Sequence, residues 1–191
     1  MAANSTLAPG LLVASPPLSD PNFTHALILL VAHGEEGALG IVVNNEREVA
    51  CVGDLLEQLG LAEDASKHRQ PVRPGGPVQP EIGWIVYRPQ AGEDPREGEI
   101  RLSDGIAVTQ SREVLASIGR MSGPAIFSAY LGYTGWAPGQ LEEEIRQGSW
   151  LPVALDTAIV FDVPIANRWR EAFALAGVAP AGFMSTKRGM A

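Results

Sequence analysis

Residues 23–44 read FTHALILLVAHGEEGALGIVVN, and the fold is decided here. From Phe23 to His33 an extended chain puts Phe23, Leu27, Leu29 and Val31 on one face and Ala26, Ile28, Leu30 and Ala32 on the other. A strand apolar on both faces is central in its sheet and covered on both sides. Gly34-Glu35-Glu36-Gly37 is a short hairpin connection, after which residues 38–44 return as a second central strand rich in Ile41, Val42 and Val43.

Working outward, residues 7–14 read as a first strand, which Ser15-Pro16-Pro17 ends, and Asp20-Pro21 makes a rigid turn. Val52, Leu55, Leu56 and Leu59 recur at helical spacing before Gly60, predicting a short helix over 53–59. Residues 63–69 read as an exposed connection, with His68 solvated. Pro74-Gly75-Gly76-Pro77 has no regular structure, 83–88 is a strand, and PQAGEDPREGE at 89–99 is a loop. Ser111 caps a helix lined by Val114, Leu115 and Ile118 that ends at Gly119, and 125–131 is another two-sided strand.

Residues 132–145, GYTGWAPGQLEEEI, compress a tight turn containing Trp136 into the start of an acidic helix that begins at Pro138 or Gly139. Residues 150–155 and 158–161 read as strands. Asp162 caps a last helix with Pro164 in its first turn and Ile165, Trp169, Ala172, Phe173 and Ala176 as its buried stripe. Hairpins mixed with crossovers predict an α+β fold with a mixed, largely antiparallel β-sheet and flanking helices, rather than a doubly wound parallel fold. No domain boundary breaks residues 1–191, although 88–99 is the place for a mobile loop or the seam of a small lobe.

Composition narrows the function classes. The 191 residues are 46% hydrophobic, enough for a full core without metal or disulfide support. The longest wholly apolar run, 26–32, is far short of the roughly 20 residues of a membrane helix, and the first residues lack a signal-peptide pattern, so a cytoplasmic protein is expected. Cys51 is the single cysteine and reads as a small apolar residue rather than a nucleophile. The formal net charge is −8 and the cationic residues are scattered, which argues against direct binding of nucleic acid. Protein or small-molecule ligands are the partners left open, with no cofactor or metal implied.

Side chains with chemistry are few. His33 ends a core strand beside a glycine turn, where side chains often face a cleft. His25 shares its parity but lies about 26 Å away on a straight strand, so the two cannot share a metal. Ser128 lacks the glycines of a nucleophile elbow. Gly75-Gly76 could expose backbone N–H groups to an anion, and Gln140 could orient a ligand below Trp136. Glu142, Glu143 and Glu144, with Asp104 and Glu113, lack a histidine at ligand spacing and read as a solvated helix face.

Taken together these segments resemble the AlgH/YqgE family of bacterial proteins. The matching residues are SPPLSDPNF at 15–23, His33, GALGIVVN at 37–44, GDLL at 53–56, GGPV at 75–78, GYTGWAPGQLEEEI at 132–145, Trp150, and Ile165-Ala166-Asn167-Arg168-Trp169. The resemblance spans nearly the whole chain. It implies an α+β fold, a cytosolic location and an indirect role in regulating transcription, a label tied to exopolysaccharide control that names no DNA-binding element. The chain departs from the family pattern at His25 and Ala26, where Arg and Ser or Thr are usual. It departs also at Asn45 and Glu46, where a basic residue and Pro are usual, and at Met190, where His is usual.

Three readings follow. The preferred one is a non-enzymatic regulatory or ligand-binding protein with a cleft bordered by Asn44, Gly75, Gly76, Tyr133, Trp136 and Gln140, with His33 nearby. The second is a hydrolase-like enzyme with His33 as acid or base and Ser15 or Ser128 as nucleophile, which needs a Ser–His approach of about 3 Å. The third is direct DNA binding, which needs a contiguous basic face.

Overall fold

The computed structural model describes residues 6–18, 20–62 and 64–177. In chain order its strands are β1 (Gly10–Ala14), β2 (Leu27–Gly34), β3 (Gly37–Val42), β4 (Ala50–Cys51), β5 (Pro71–Pro74), β6 (Val78–Tyr87), β7 (Glu99–Ser103), β8 (Ile106–Thr109), β9 (Phe127–Trp136) and β10 (Trp150–Val153). The helices are α1 (Val52–Gln58), α2 (Arg112–Gly119), α3 (Gln140–Arg146), α4 (Thr157–Phe161) and α5 (Ile165–Leu175). The described chain falls into two compact units: residues up to 45 together with those from 134 onward, and residues 46–133. Residues 88–99 lie inside the second unit.

In the first unit the strand order is β10-β1-β2-β3, every pair antiparallel, and residues 134–136 of β9 add to β3 through Ala38↔Trp136, Leu39↔Gly135 and Gly40↔Thr134. The two-sided apolar run does what its pattern dictates, since Leu27, Ile28, Leu29 and Leu30 are all 0% exposed. One side packs Leu12, Ile28, Leu30, Val42, Trp136 and Trp150 into a single cluster. Arg168 of α5, 6% exposed, donates to the carbonyls of Val43 at 2.6 Å and Val163 at 3.0 Å, supplying the partners those buried groups require.

In the second unit the order is β9-β6-β8-β7, antiparallel throughout, with β5 beside β9 in parallel and β4 on β5. Val52 and Leu56 of α1 and Val114 and Ile118 of α2 pack with Ile85, Tyr87 and Ala129. The fold is therefore α+β with a mixed, largely antiparallel pairing pattern.

Several elements differ from the sequence expectations. The first strand starts at Gly10, and β2 starts only at Leu27 because the Asp20-Pro21 turn runs further than its residues indicate. The Asp20 carbonyl accepts the Phe23 and Thr24 N–H groups, and His25 sits in the left-handed region at φ 54, off the strand altogether. Trp136 is not in a turn. Residues 132–136 continue β9 because β3 and β6 offer ladder partners along them, and the turn is confined to Ala137–Gly139. Residues 158–161 form α4, not a strand, since Asp156 accepts hydrogen bonds from the N–H groups of Ala158 and Ile159. Asp162 closes that helix, and Pro164 stands at the N-cap of α5. Ser111 occupies the N-cap of α2 without a side-chain capping bond. The β4, β5, β7 and β8 segments, too short or too polar to announce themselves, complete the second unit. Among the described residues no helix is long and apolar enough to cross a membrane.

Candidate functional site

The site grows from the end of β2 and the start of α3, both in the first unit. His33 lies opposite Ala38 in the β2–β3 ladder, with its side chain only 9% exposed. Its Nδ1 accepts the Leu7 N–H at 3.1 Å, so in the neutral ring the proton resides on Nε2. That Nε2 lies 3.0 Å from Oε1 of Glu142, to which it donates. Thr6 Oγ1 closes the same corner by donating to the His33 carbonyl at 3.1 Å.

Helix α3 supplies the carboxylates because its first turn is fixed by its own side chains. Gln140 Oε1 accepts the Ala137 N–H at 3.0 Å, and Gln140 Nε2 donates to Glu144 Oε1, one helical turn on, at 2.8 Å. Two residues apart on a helix point to nearly opposite sides, and α3 uses this. Glu144 turns to the core, where its Oε2 accepts both indole N–H groups, Trp136 and Trp150, each at 2.8 Å. The two rings meet edge-on with centroids 5.9 Å apart. Glu142 turns outward to His33. Its carboxyl is held below the usual range first by its own backbone N–H in the first turn, against the opposing effect of burial, and further by His33 and Arg146. Each carboxylate of the Glu142 to Glu144 run has a partner, but Glu142 and Glu143 stay about half exposed, at 45% and 47%, so the expected solvated face holds for these two and fails for Glu144.

Beside the His33–Glu142 pair lies an open groove of about 770 Å³, lined by Thr6, Leu7, His33, Glu35, Glu142 and Arg146 among others. Arg146 at its rim pairs with Glu143. The sequence marks Glu142 as no partner of His33. The pair is 109 residues apart in the chain, and no local spacing could announce it.

The other expected site residues divide between the units. His33, Asn44, Trp136 and Gln140 belong to the first, Gly75, Gly76 and Tyr133 to the second. Asn44 is a clasp: its Oδ1 accepts the Leu27 N–H at 2.7 Å and its Nδ2 donates to the His25 carbonyl at 2.8 Å, holding the chain where β2 begins. Trp136, 6% exposed, belongs to the core cluster. In the second unit the buried Gly75 donates its N–H to the Leu131 carbonyl at 2.7 Å. A side chain at Gly132, whose φ is 73, would put its Cβ 2.4 Å from the Gly76 carbonyl, so this glycine is required by a backbone contact. Tyr133 meets Trp84 edge-on at 6.2 Å. Half-buried Cys51 is the N-cap of α1, its N–H donating to Asp54.

The hydrolase reading needs a serine on His33, yet the ring's two nitrogens are taken by Leu7 and Glu142, and Ser15 is 2% exposed. No cluster of three potential metal ligands occurs among the described residues. His68, expected to be solvated, is 3% exposed.

Comparison with known proteins places this geometry. Residues 11–181 match the model of the family described as AlgH-like. The chain belongs to the AlgH-like family. A UPF0301 protein of Anaeromyxobacter dehalogenans strain 2CP-C is 45% identical over 186 residues, covering 95% of this chain and 94% of that relative. A UPF0301 protein of Paracoccus denitrificans is 38% identical over 94% of this chain and 95% of its own length. The solution structure of the AlgH protein from Pseudomonas aeruginosa superposes with a TM-score of 0.76 at 31% identity, covering 100% of this chain and 97% of that one. Of the positions where the resemblance implies other residues, His25 and Ala26 precede β2, Asn45 ends the leading segment of the first unit and Glu46 opens the second. Met190 lies outside the described residues.

Proposed function

We propose that this AlgH-like protein is a cytoplasmic, non-enzymatic regulator that binds a small polar ligand in the groove beside His33 and Glu142, and that any effect on transcription is indirect. The observation that supports this reading is the state of the His33 ring. A general base needs a free nitrogen near a nucleophile, whereas this ring accepts from Leu7 and donates to Glu142. A ring so held is a rigid wall rather than a proton shuttle. The groove presents the hydrogen-bonding and charged side chains of Thr6, Glu35, Glu142 and Arg146 beside the apolar Leu7, Ile145 and Pro152, the mixture that orients a small ligand.

Native mass spectrometry of protein purified gently from its host is the test. The expected result is a retained mass that disappears in Arg146→Ala and in Glu142→Gln while both variants keep their melting temperatures near that of the wild type. Protein that carries no added mass, or a mass equally retained by both variants, overturns the groove as the binding site. A salt-sensitive shift of promoter DNA by the purified protein would overturn the indirect action.

A further inference from the structure

The second unit contains a polar side chain that its own fold does not use. His68 follows a 3₁₀ turn at Ala65–Lys67 and is 3% exposed. Its backbone is fixed from both sides: its N–H donates to the Ala65 carbonyl, and its carbonyl accepts the Gly53 N–H of α1 at 2.8 Å. The ring is different. Among the described residues no group hydrogen-bonds to either ring nitrogen, although buried polar side chains nearly always find a partner. Among the described residues the sealed side-chain atoms that lack partners are Arg73 Nε and Trp84 Nε1. The His68 nitrogens are not among them, so the little surface this residue keeps includes them.

That surface opens on a cavity of about 490 Å³, lined by Leu61, Asp64, Lys67, His68, Arg120 and Met121 among others. Its walls are backbone-tight. A Cβ on Gly119 would lie 2.1 Å from the Leu61 carbonyl, so α2 ends in direct contact with the chain leaving α1. The charges are uneven. Among the described lining residues Lys67 and Arg120 face one carboxylate, Asp64, in a chain whose net charge is −8. Lys67 lies 3.4 Å from Asp64, and Arg120 pairs with Glu113 at 2.7 Å, but both cations keep more than half of their side-chain surface in water, at 63% and 56%. Such exposed pairs are weak and exchange partners readily. Met121, 72% exposed and held at φ 59, adds an apolar edge.

A buried imidazole N–H beside two exchangeable cations and an apolar edge is complementary to an oxyanion on a small organic body, since charge-assisted bonds to such a group are roughly twice as strong as neutral ones. We propose that the His68 cavity binds a small metabolite bearing an oxyanion, with His68 donating to that group and Lys67 and Arg120 neutralising it. The cavity lies in the second unit and the proposal stands or falls separately from the His33 groove.

The test is a titration followed by ¹H–¹⁵N NMR, reading the His68 imidazole and the amides of residues 60–62 and 119–121. Inorganic phosphate is added in one series and succinate in the other, with ionic strength held constant by chloride; the first probes a phosphate source of the oxyanion, the second a carboxylate source. The expected result is a saturating shift with at least one probe, weakened about tenfold by Arg120→Gln and abolished by His68→Leu, as loss of one charge-assisted bond predicts. Arg120 is exposed, so its variant keeps the fold and the comparison clean. Shifts that stay linear with both probes, or saturation that both variants leave unchanged, overturn the site.

Discussion

His33 and His68 are both largely hidden from water, one in each unit, yet their rings are in opposite condition. The ring of His33 is committed at both nitrogens, to Leu7 and to Glu142. That of His68 has no hydrogen-bond partner among the described residues, and its surface opens on a cavity. The difference teaches that burial by itself does not assign a role to a histidine. A ring paired inside the protein contributes to the fold, whereas a largely buried ring whose nitrogens keep their surface on a cavity stays open to what enters that cavity.

The sharpest way to break this contrast is to strip the first unit of its hydrogen-bonded order. Glu144→Leu removes the acceptor of two buried indole N–H groups and of Gln140 at once. Leaving two such donors unpaired costs about 2–5 kcal/mol, which lowers the midpoint of a urea melt well outside experimental scatter. A loss below about 1 kcal/mol would mean that α3 is held by packing alone, and the picture of the first unit as a saturated network would fail. His33→Leu comes next. It orphans the Leu7 N–H and the inner side of Glu142, for an expected loss of about 1–3 kcal/mol by the same melt.

These partners were only half legible in the sequence. The β2–β3 hairpin could be read because Leu27 to Leu30 must be covered on both faces, a property of the residues themselves. The course of 132–136 could not, because glycines at Gly132 and Gly135 mark a turn locally and become strand only when β3 and β6 offer partners. Likewise Ile159 and Val160 favour a strand by type, and a single capping carboxylate, Asp156, makes them a helix. His33 was visible as a residue at a strand end, but its role depends on Glu142, and such a pairing exists only in the folded chain. His68 reads as solvated because it stands in a polar stretch, which says nothing about a residue whose carbonyl the Gly53 N–H of α1 fixes.

A smaller effect sharpens the His33 side of the contrast through pH. The Glu142 carboxyl titrates below its unfolded value, held down by its own backbone N–H and by His33. The unfolded chain therefore binds the proton more readily, and stability rises with pH through the range below about 4.3. It is fully present above that value and is lost as pH falls through the folded one. Glu142→Gln flattens this part of the stability profile. Because the Glu142 side chain is 45% exposed, water screens the contribution and the change is smaller than that of His33→Leu. A profile with the same acid slope in the variant would detach Glu142 from His33 energetically.

The smallest expected effect is the one that separates the two histidines. Because no described group bonds the His68 ring, its replacement orphans nothing, so His68→Leu, tested without added anion, changes stability by no more than about 0.5 kcal/mol or raises it. The same substitution at His33 lowers it. If His68→Leu were as damaging as His33→Leu, the His68 ring would be part of the fold's own bonding and no ligand would be needed to account for it. If the anion-free variant is as stable as wild type and phosphate or succinate stabilises only the wild type, the stabilisation comes from binding at the folded site, because a ligand of the folded state raises stability with the logarithm of its concentration above Kd. The ring at position 68 then adds nothing to the unliganded fold, whereas that of His33, committed at both nitrogens, does.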